Sequence, residues 1–202
     1  MKLMTTGLLT AVTFADVGAG AQDAPLMTWY NPPVKWNAAA NILTLDVAPT
    51  TDYWRRANYS RDNGHFYYRE MTGDFVARVK VTGAYRDPYD QAGLMIRIDE
   101  KNWIKTGIEF VDKTQNVSTV VTRELSDWSV IPLTAAPPAV WLELTRKADS
   151  VEIRYSLDGK GFVLERDCYF PSVTTVKIGV MAAAPQGGGF PARFEGFAVT
   201  PK

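Results

Sequence analysis

Period-two alternation of apolar and polar side chains runs through this chain from Met27 onward, and it restricts the fold to sheets. The pattern is plain in Phe75-Val76-Ala77-Arg78-Val79-Lys80-Val81, in Val140-Trp141-Leu142-Glu143-Leu144-Thr145-Arg146 and in Val151-Glu152-Ile153-Arg154-Tyr155-Ser156-Leu157. Successive side chains of a strand point to opposite faces, so such segments bury one face and wet the other. Turn residues fall between them: Asp62-Asn63-Gly64, Thr72-Gly73-Asp74, Lys147-Ala148-Asp149 and Asp158-Gly159-Lys160-Gly161. The Asp62-Asn63-Gly64 turn reads as a hairpin. Prolines cluster at Pro32-Pro33 and Pro137-Pro138, where loops are expected. No long stretch carries a helical period. Many short strands at regular spacing predict an all-β chain, an antiparallel β-sandwich or jelly roll, with no repeat, linker or second domain.

The segment Tyr89–Phe110 is the most informative about function. It reads as two strands and a polar turn. In the first strand Ala92, Leu94, Ile96 and Ile98 share the apolar face, opposite Gln91, Gly93, Met95 and Arg97. In the second, Ile104, Ile108 and Phe110 are apolar, opposite Trp103, Lys105, Gly107 and Glu109. A core needs only one of these faces. The other, rich in Trp, Lys, Arg, Glu and Gln, is the leading candidate site, with Ser118, Val120 and Thr122 on the next strand.

Composition removes several function classes. The 202 residues carry 22 basic and 22 acidic side chains, so the formal net charge is zero, and no basic block tracks a phosphate backbone; nucleic acid is not an expected partner. Cys168 is the only cysteine and His65 the only histidine, which excludes an intrachain disulfide, a multi-cysteine metal site and two-histidine mechanisms. No cofactor is expected. A structural calcium ion is conceivable in a sandwich, but no ordered Asp/Asn series supports one.

Residues 1–21 read as a secretory signal, with an apolar run from Leu3 to Ala15 and cleavage before Gln22. The alternative is a mispredicted extension before a true start at Met27. The apolar run is too short to span a membrane as a helix. The first reading places the mature protein, a single domain over residues 22–202, outside the cell or in a periplasm; the second leaves it cytoplasmic.

Five segments carry a family resemblance: DYWRRANYSRDNGHFYY (Asp52 to Tyr68), YDQAGLMIR (Tyr89 to Arg97), WIKTGIEF (Trp103 to Phe110), STVVTRELSDWS (Ser118 to Ser129) and YSLDGKGF (Tyr155 to Phe162). In this order, over Met27 to Lys202, the chain resembles domain-of-unknown-function family 1349, which includes the regulation-of-enolase proteins. The resemblance implies a concanavalin A-like β-sandwich with a concave sheet face, and no settled reaction. The family opening resembles W-x-N-E-P-P, whereas this chain has Trp29-Tyr30-Asn31-Pro32-Pro33 without the acidic residue.

The expected ligand is an oligosaccharide or polysaccharide on the concave face. Trp103 and Trp128 would stack on sugar rings, and Gln91, Arg97, Lys105, Glu109, Asp127 and Arg55 would bond hydroxyls or a uronate. The Arg and Lys side chains tilt the expectation toward an acidic sugar. A second reading makes the protein a glycan-active hydrolase or lyase, with Glu109 or His65 as acid/base. Retaining glucanases of this fold place their carboxylates two and four residues apart on one strand. Glu109 has Lys105, Gly107 and Val111 at those spacings, which disfavours that mechanism. A third reading is a non-catalytic module for a protein partner. Cys168 reads as an ordinary half-buried cysteine.

Overall fold

A computed structural model describes residues 27–202, so the signal-peptide reading of residues 1–21 lies outside the described residues. Every regular element in them is a strand: β1 (Thr28–Tyr30), β2 (Trp36–Ala39), β3 (Ile42–Val47), β4 (Tyr53–Arg56), β5 (Tyr59–Asp62), β6 (His65–Thr72), β7 (Phe75–Gly83), β8 (Gln91–Arg97), β9 (Asn102–Val111), β10 (Thr114–Arg123), β11 (Leu125–Pro132), β12 (Val140–Lys147), β13 (Ser150–Ser156), β14 (Val163–Tyr169), β15 (Thr175–Ala183) and β16 (Phe190–Pro201). No helix among the described residues is long and apolar enough to cross a membrane.

Two seven-stranded antiparallel sheets form a concanavalin A-like jelly roll. One runs β1-β6-β15-β8-β9-β10-β11, the other β14-β13-β12-β7-β16-β3-β2, and β4-β5 is a separate hairpin. Alternation fills the space between the sheets. Leu94, Ile96, Ile104, Ile108, Val117 and Val121 of the first sheet join Ala77, Val79, Val81, Leu142, Leu144 and Ile153 of the second in one buried cluster. Each large apolar side chain so buried contributes about 1.5–3 kcal/mol. The face assignments read from the alternation of β8 and β9 are therefore those of the structure.

The turn expectations resolve differently. Lys147-Ala148-Asp149 and Asp158–Gly161 join paired strands, as hairpins do. Asp62-Asn63-Gly64 does not, because β5 pairs with β4 whereas β6 lies in the first sheet between β1 and β15. The glycine serves packing instead. A Cβ on Gly64 would stand 2.3 Å from the Tyr53 ring, and the Tyr53 hydroxyl donates to the Gly64 carbonyl at 2.5 Å.

The outward face of the first sheet carries the candidate site. Gly93 and Gly107 are register partners there, and a Cβ on either would meet the backbone across the strand at 1.9 and 2.2 Å. This close approach of β8 to β9 tolerates no side chain at the centre of the face.

Candidate functional site

The β4–β5 hairpin folds over the outward face and divides it. Beneath Tyr53 lie Phe66, Met95, Trp103, Val120 and Met181, a second apolar cluster separate from the intersheet core. Beyond the hairpin a cleft of about 350 Å³ remains, lined by Asp52, Trp54, Tyr59, Tyr89, Gln91, Lys105, Glu109, Trp128, Pro185 and Gln186.

Its floor is polar and held from below. Lys105 is 4% exposed; its Nζ donates to the Tyr53 carbonyl at 2.8 Å and to Gln91 Oε1 at 2.5 Å, and stands 3.6 Å from Asp52 Oδ1. An ammonium taken out of water is costly unless so matched. The Gln91 amide nitrogen in turn donates to the Tyr89 carbonyl at 3.2 Å. Glu109 is 5% exposed and accepts, at Oε2, the Ser118 hydroxyl (2.5 Å) and the Trp128 indole N–H (2.8 Å). Its Oε1 has no hydrogen-bond partner among the described residues, although it borders the cleft.

Aromatic rings form the walls. Trp54 and Tyr59 come from the hairpin; Trp128 comes from β11, where its register partner is Val120. Trp128 is 37% exposed and meets Tyr89 edge to face at 6.2 Å. Tyr89 has φ = 67°, a left-handed conformation that is strained for a bulky residue. Strain of this kind concentrates at ligand clamps.

Of the residues singled out in the sequence, Gln91, Lys105, Glu109 and Trp128 converge on the cleft. Trp103 is not a platform. At 1% exposure it packs edge-on against Tyr53 at 6.1 Å, and its N–H is spent on the Glu100 carbonyl. Arg97 lies on the same face but in the covered half, bidentate to Asp62 at 2.6 and 2.8 Å with its guanidinium over the Tyr30 ring. Asp127 takes the opposite parity to Trp128 and pairs with Arg166 at 3.2 Å. Arg55 donates to the Glu124 carbonyl and to Ser60, away from the cleft.

His65 is likewise no proton carrier at the rim. It is buried; its Nε2 accepts the Ala48 N–H at 3.0 Å, so Nδ1 bears the proton that faces the Asn31 carbonyl at 2.7 Å. Burial pushes its pKa down, against the smaller effect of the Asn31 hydrogen bond. Both nitrogens are committed to backbone.

Tyr59, Tyr89, Pro185 and Gln186 were not foreseen as lining residues, and of the acid–aromatic cluster Asp52-Tyr53-Trp54-Arg55 only Arg55 was expected to bind ligand. The DYWRR motif contained the signal for Asp52 and Trp54, but alternation within it cannot say which surface the hairpin covers.

The family model for "Protein of unknown function (DUF1349)" matches residues 29–202. The chain belongs to this family. "Regulation of enolase protein 1" of Saccharomyces cerevisiae is 37% identical over 175 residues, covering 86% of this chain and 88% of the yeast protein. A crystal structure of "a functionally unknown protein from Saccharomyces cerevisiae" superposes with a TM-score of 0.84 at 36% identity, covering 87% of this chain and 96% of that one. The carbohydrate binding module CBM66 from Bacillus subtilis superposes at 0.55 with 15% identity, over 85% of this chain and 94% of the module, which shows likeness of fold alone.

Proposed function

We propose that this protein recognises a carbohydrate in the cleft between the β4–β5 hairpin and the β9–β11 strands. One observation carries the reading: partly exposed aromatic rings surround a floor whose polar groups are fixed by the protein and still present an open acceptor, Glu109 Oε1. Sugars offer both an apolar ring face and hydroxyl donors. A concave site with apolar walls and a few placed polar groups suits them. That the fold is shared with a module named for carbohydrate binding supports the reading by analogy.

The geometry removes the basis for an acidic sugar. Arg97 is consumed by Asp62, and the Lys105 ammonium is matched by Tyr53, Gln91 and Asp52. The test is calorimetric titration of the full chain with a panel of neutral and acidic oligosaccharides, alongside Glu109→Ala and Trp128→Ala. Binding by the parent that drops at least about tenfold in both variants is expected. No heat across the panel with folded protein overturns it.

One feature favours a second, catalytic reading: Asp52 and Glu109 place two carboxylates on one cleft, as glycoside hydrolysis requires. Release of reducing ends from a bound oligosaccharide, abolished in Glu109→Gln, would establish it. The name of the yeast relative motivates a third, a protein partner. Retention of such a partner by Trp128→Ala and Glu109→Ala would separate that surface from the cleft.

A further inference from the structure

The balance of donors, acceptors and charge in the cleft bears on which sugar it takes. Among the ionisable lining groups other than tyrosine, Asp52 and Lys105 neutralise each other across 3.6 Å. Glu109 remains, 95% buried by its 5% exposure, with no cation paired to it among the described residues. Its oxygens divide the work. Oε2 takes two donors from the protein, while Oε1 has none and borders the open space.

The donors of the floor are already spent. Lys105 gives to Tyr53 and Gln91, the Gln91 amide gives to the Tyr89 carbonyl, and the Trp128 N–H gives to Glu109. A ligand that needs acceptors satisfied therefore finds little at the floor, whereas one that brings donors finds Glu109 waiting. A buried carboxylate without a counter-charge is the costly member of such a set, and a cation completes it.

The walls agree with this. Four aromatic residues, Trp54, Tyr59, Tyr89 and Trp128, line the same cleft, and the faces of such rings attract cations. Two of the rings already show this within the protein: the Arg56 guanidinium lies 4.9 Å from the Trp54 ring centre and that of Arg61 lies 5.6 Å from the Tyr59 ring. Arg56 and Arg61 are themselves exposed, so solvent and salt screen their repulsion of a ligand. Tyr89 and Trp128, on the side nearest Glu109, carry no such cation among the described residues.

Resting on the carbohydrate reading above, we infer that the cleft selects an amino sugar whose free ammonium group bonds Glu109 Oε1 beside the Tyr89 and Trp128 rings. The class is a 2-amino-2-deoxy hexose, alone or within an oligosaccharide, with its nitrogen unacetylated. Acetylation would remove the charge and place a methyl group and a carbonyl acceptor against a floor that already holds acceptors.

The experiment is isothermal titration of the full chain at about pH 6, where most such amines are protonated, with three tetrasaccharides of matched linkage: glucosamine, N-acetylglucosamine and glucose. The glucosamine oligomer is expected to bind at least about tenfold tighter than either of the others. In Glu109→Gln, which keeps an acceptor for the Trp128 N–H, that preference should collapse to within about threefold. Asp52→Asn, whose carboxylate faces Lys105, serves as the comparison and should change the preference less. Circular dichroism and melting temperature verify the fold of each variant, and the ranking in the parent protein stands without them. Equal or tighter binding of the acetylated or glucose oligomer overturns the amine selectivity and leaves the carbohydrate reading intact. A preference that survives unchanged in folded Glu109→Gln overturns the assignment of that carboxylate. Absence of binding by all three oligomers and by the wider panel overturns both readings.

Discussion

The two halves of the outward face share strands β8 and β9, with the same parity and similar residue types, yet they do opposite things. In one half Trp103, Met95, Phe66 and Met181 disappear beneath Tyr53, and Arg97 is locked to Asp62. In the other, Trp128 and Tyr89 stand partly exposed above Glu109 and Lys105. What separates them is a hairpin from elsewhere in the chain. The residues of a strand fix which face a side chain takes; a distant segment fixes whether that face is core or surface.

This contrast can be broken. Tyr53→Ala should remove the centre of the covered half and cost about 3–5 kcal/mol, measured by urea denaturation. A cost below about 1 kcal/mol would mean that the covered half is not a second core. Arg97→Met leaves Asp62 without its bidentate partner. Because Asp62 is partly exposed, the expected loss is discounted to about 2 kcal/mol, read from the same denaturation midpoint. Trp128→Ala, by contrast, should alter stability by only about 1 kcal/mol while weakening ligand binding, since its ring borders the open half. A large loss of stability there would move Trp128 to the side of Trp103.

The smallest effect concerns His65. Burial lowers its pKa in the folded state, so the folded protein holds it neutral where the unfolded chain, with a pKa of about 6.5, begins to take up a proton. Its contribution to stability is therefore complete above about pH 6.5 and is lost as pH falls toward and through the folded value. As the chain has one histidine, its ring proton resonance reports this alone. A midpoint at or above about 6.5 in the folded protein would contradict the buried neutral tautomer.

The sandwich was legible because alternation is a local, repeated signal, and Leu94, Ile104 and their neighbours sit on the faces it assigned. Three of the cleft residues were legible for the same reason: Gln91, Lys105 and Glu109 share the parity of the outward face, whereas Trp128 stood out as the aromatic of the Asp127-Trp128-Ser129 cluster and its place on a strand was not read. What alternation could not supply was coverage. Trp103 and Trp128 carry the same pattern and meet different fates, because the hairpin contact that decides between them joins Tyr53 to Lys105 across 52 positions of sequence. The role of Arg97 was hidden for the same reason, its partner Asp62 being 35 positions away. The positive φ of Tyr89 leaves no mark in composition at all.

The hydrogen bond from the Trp128 indole to Glu109 makes the wall and the floor of the cleft one thermodynamic unit. Replacing the tryptophan takes one of two donors from Glu109 Oε2, and replacing the carboxylate leaves the indole only its second acceptor, Ser118 Oγ at 3.0 Å, so neither single variant reports the worth of its own side chain. The two losses should fall short of adding in a double-mutant cycle. The size of that shortfall would measure how rigidly the ring is held before any ligand arrives.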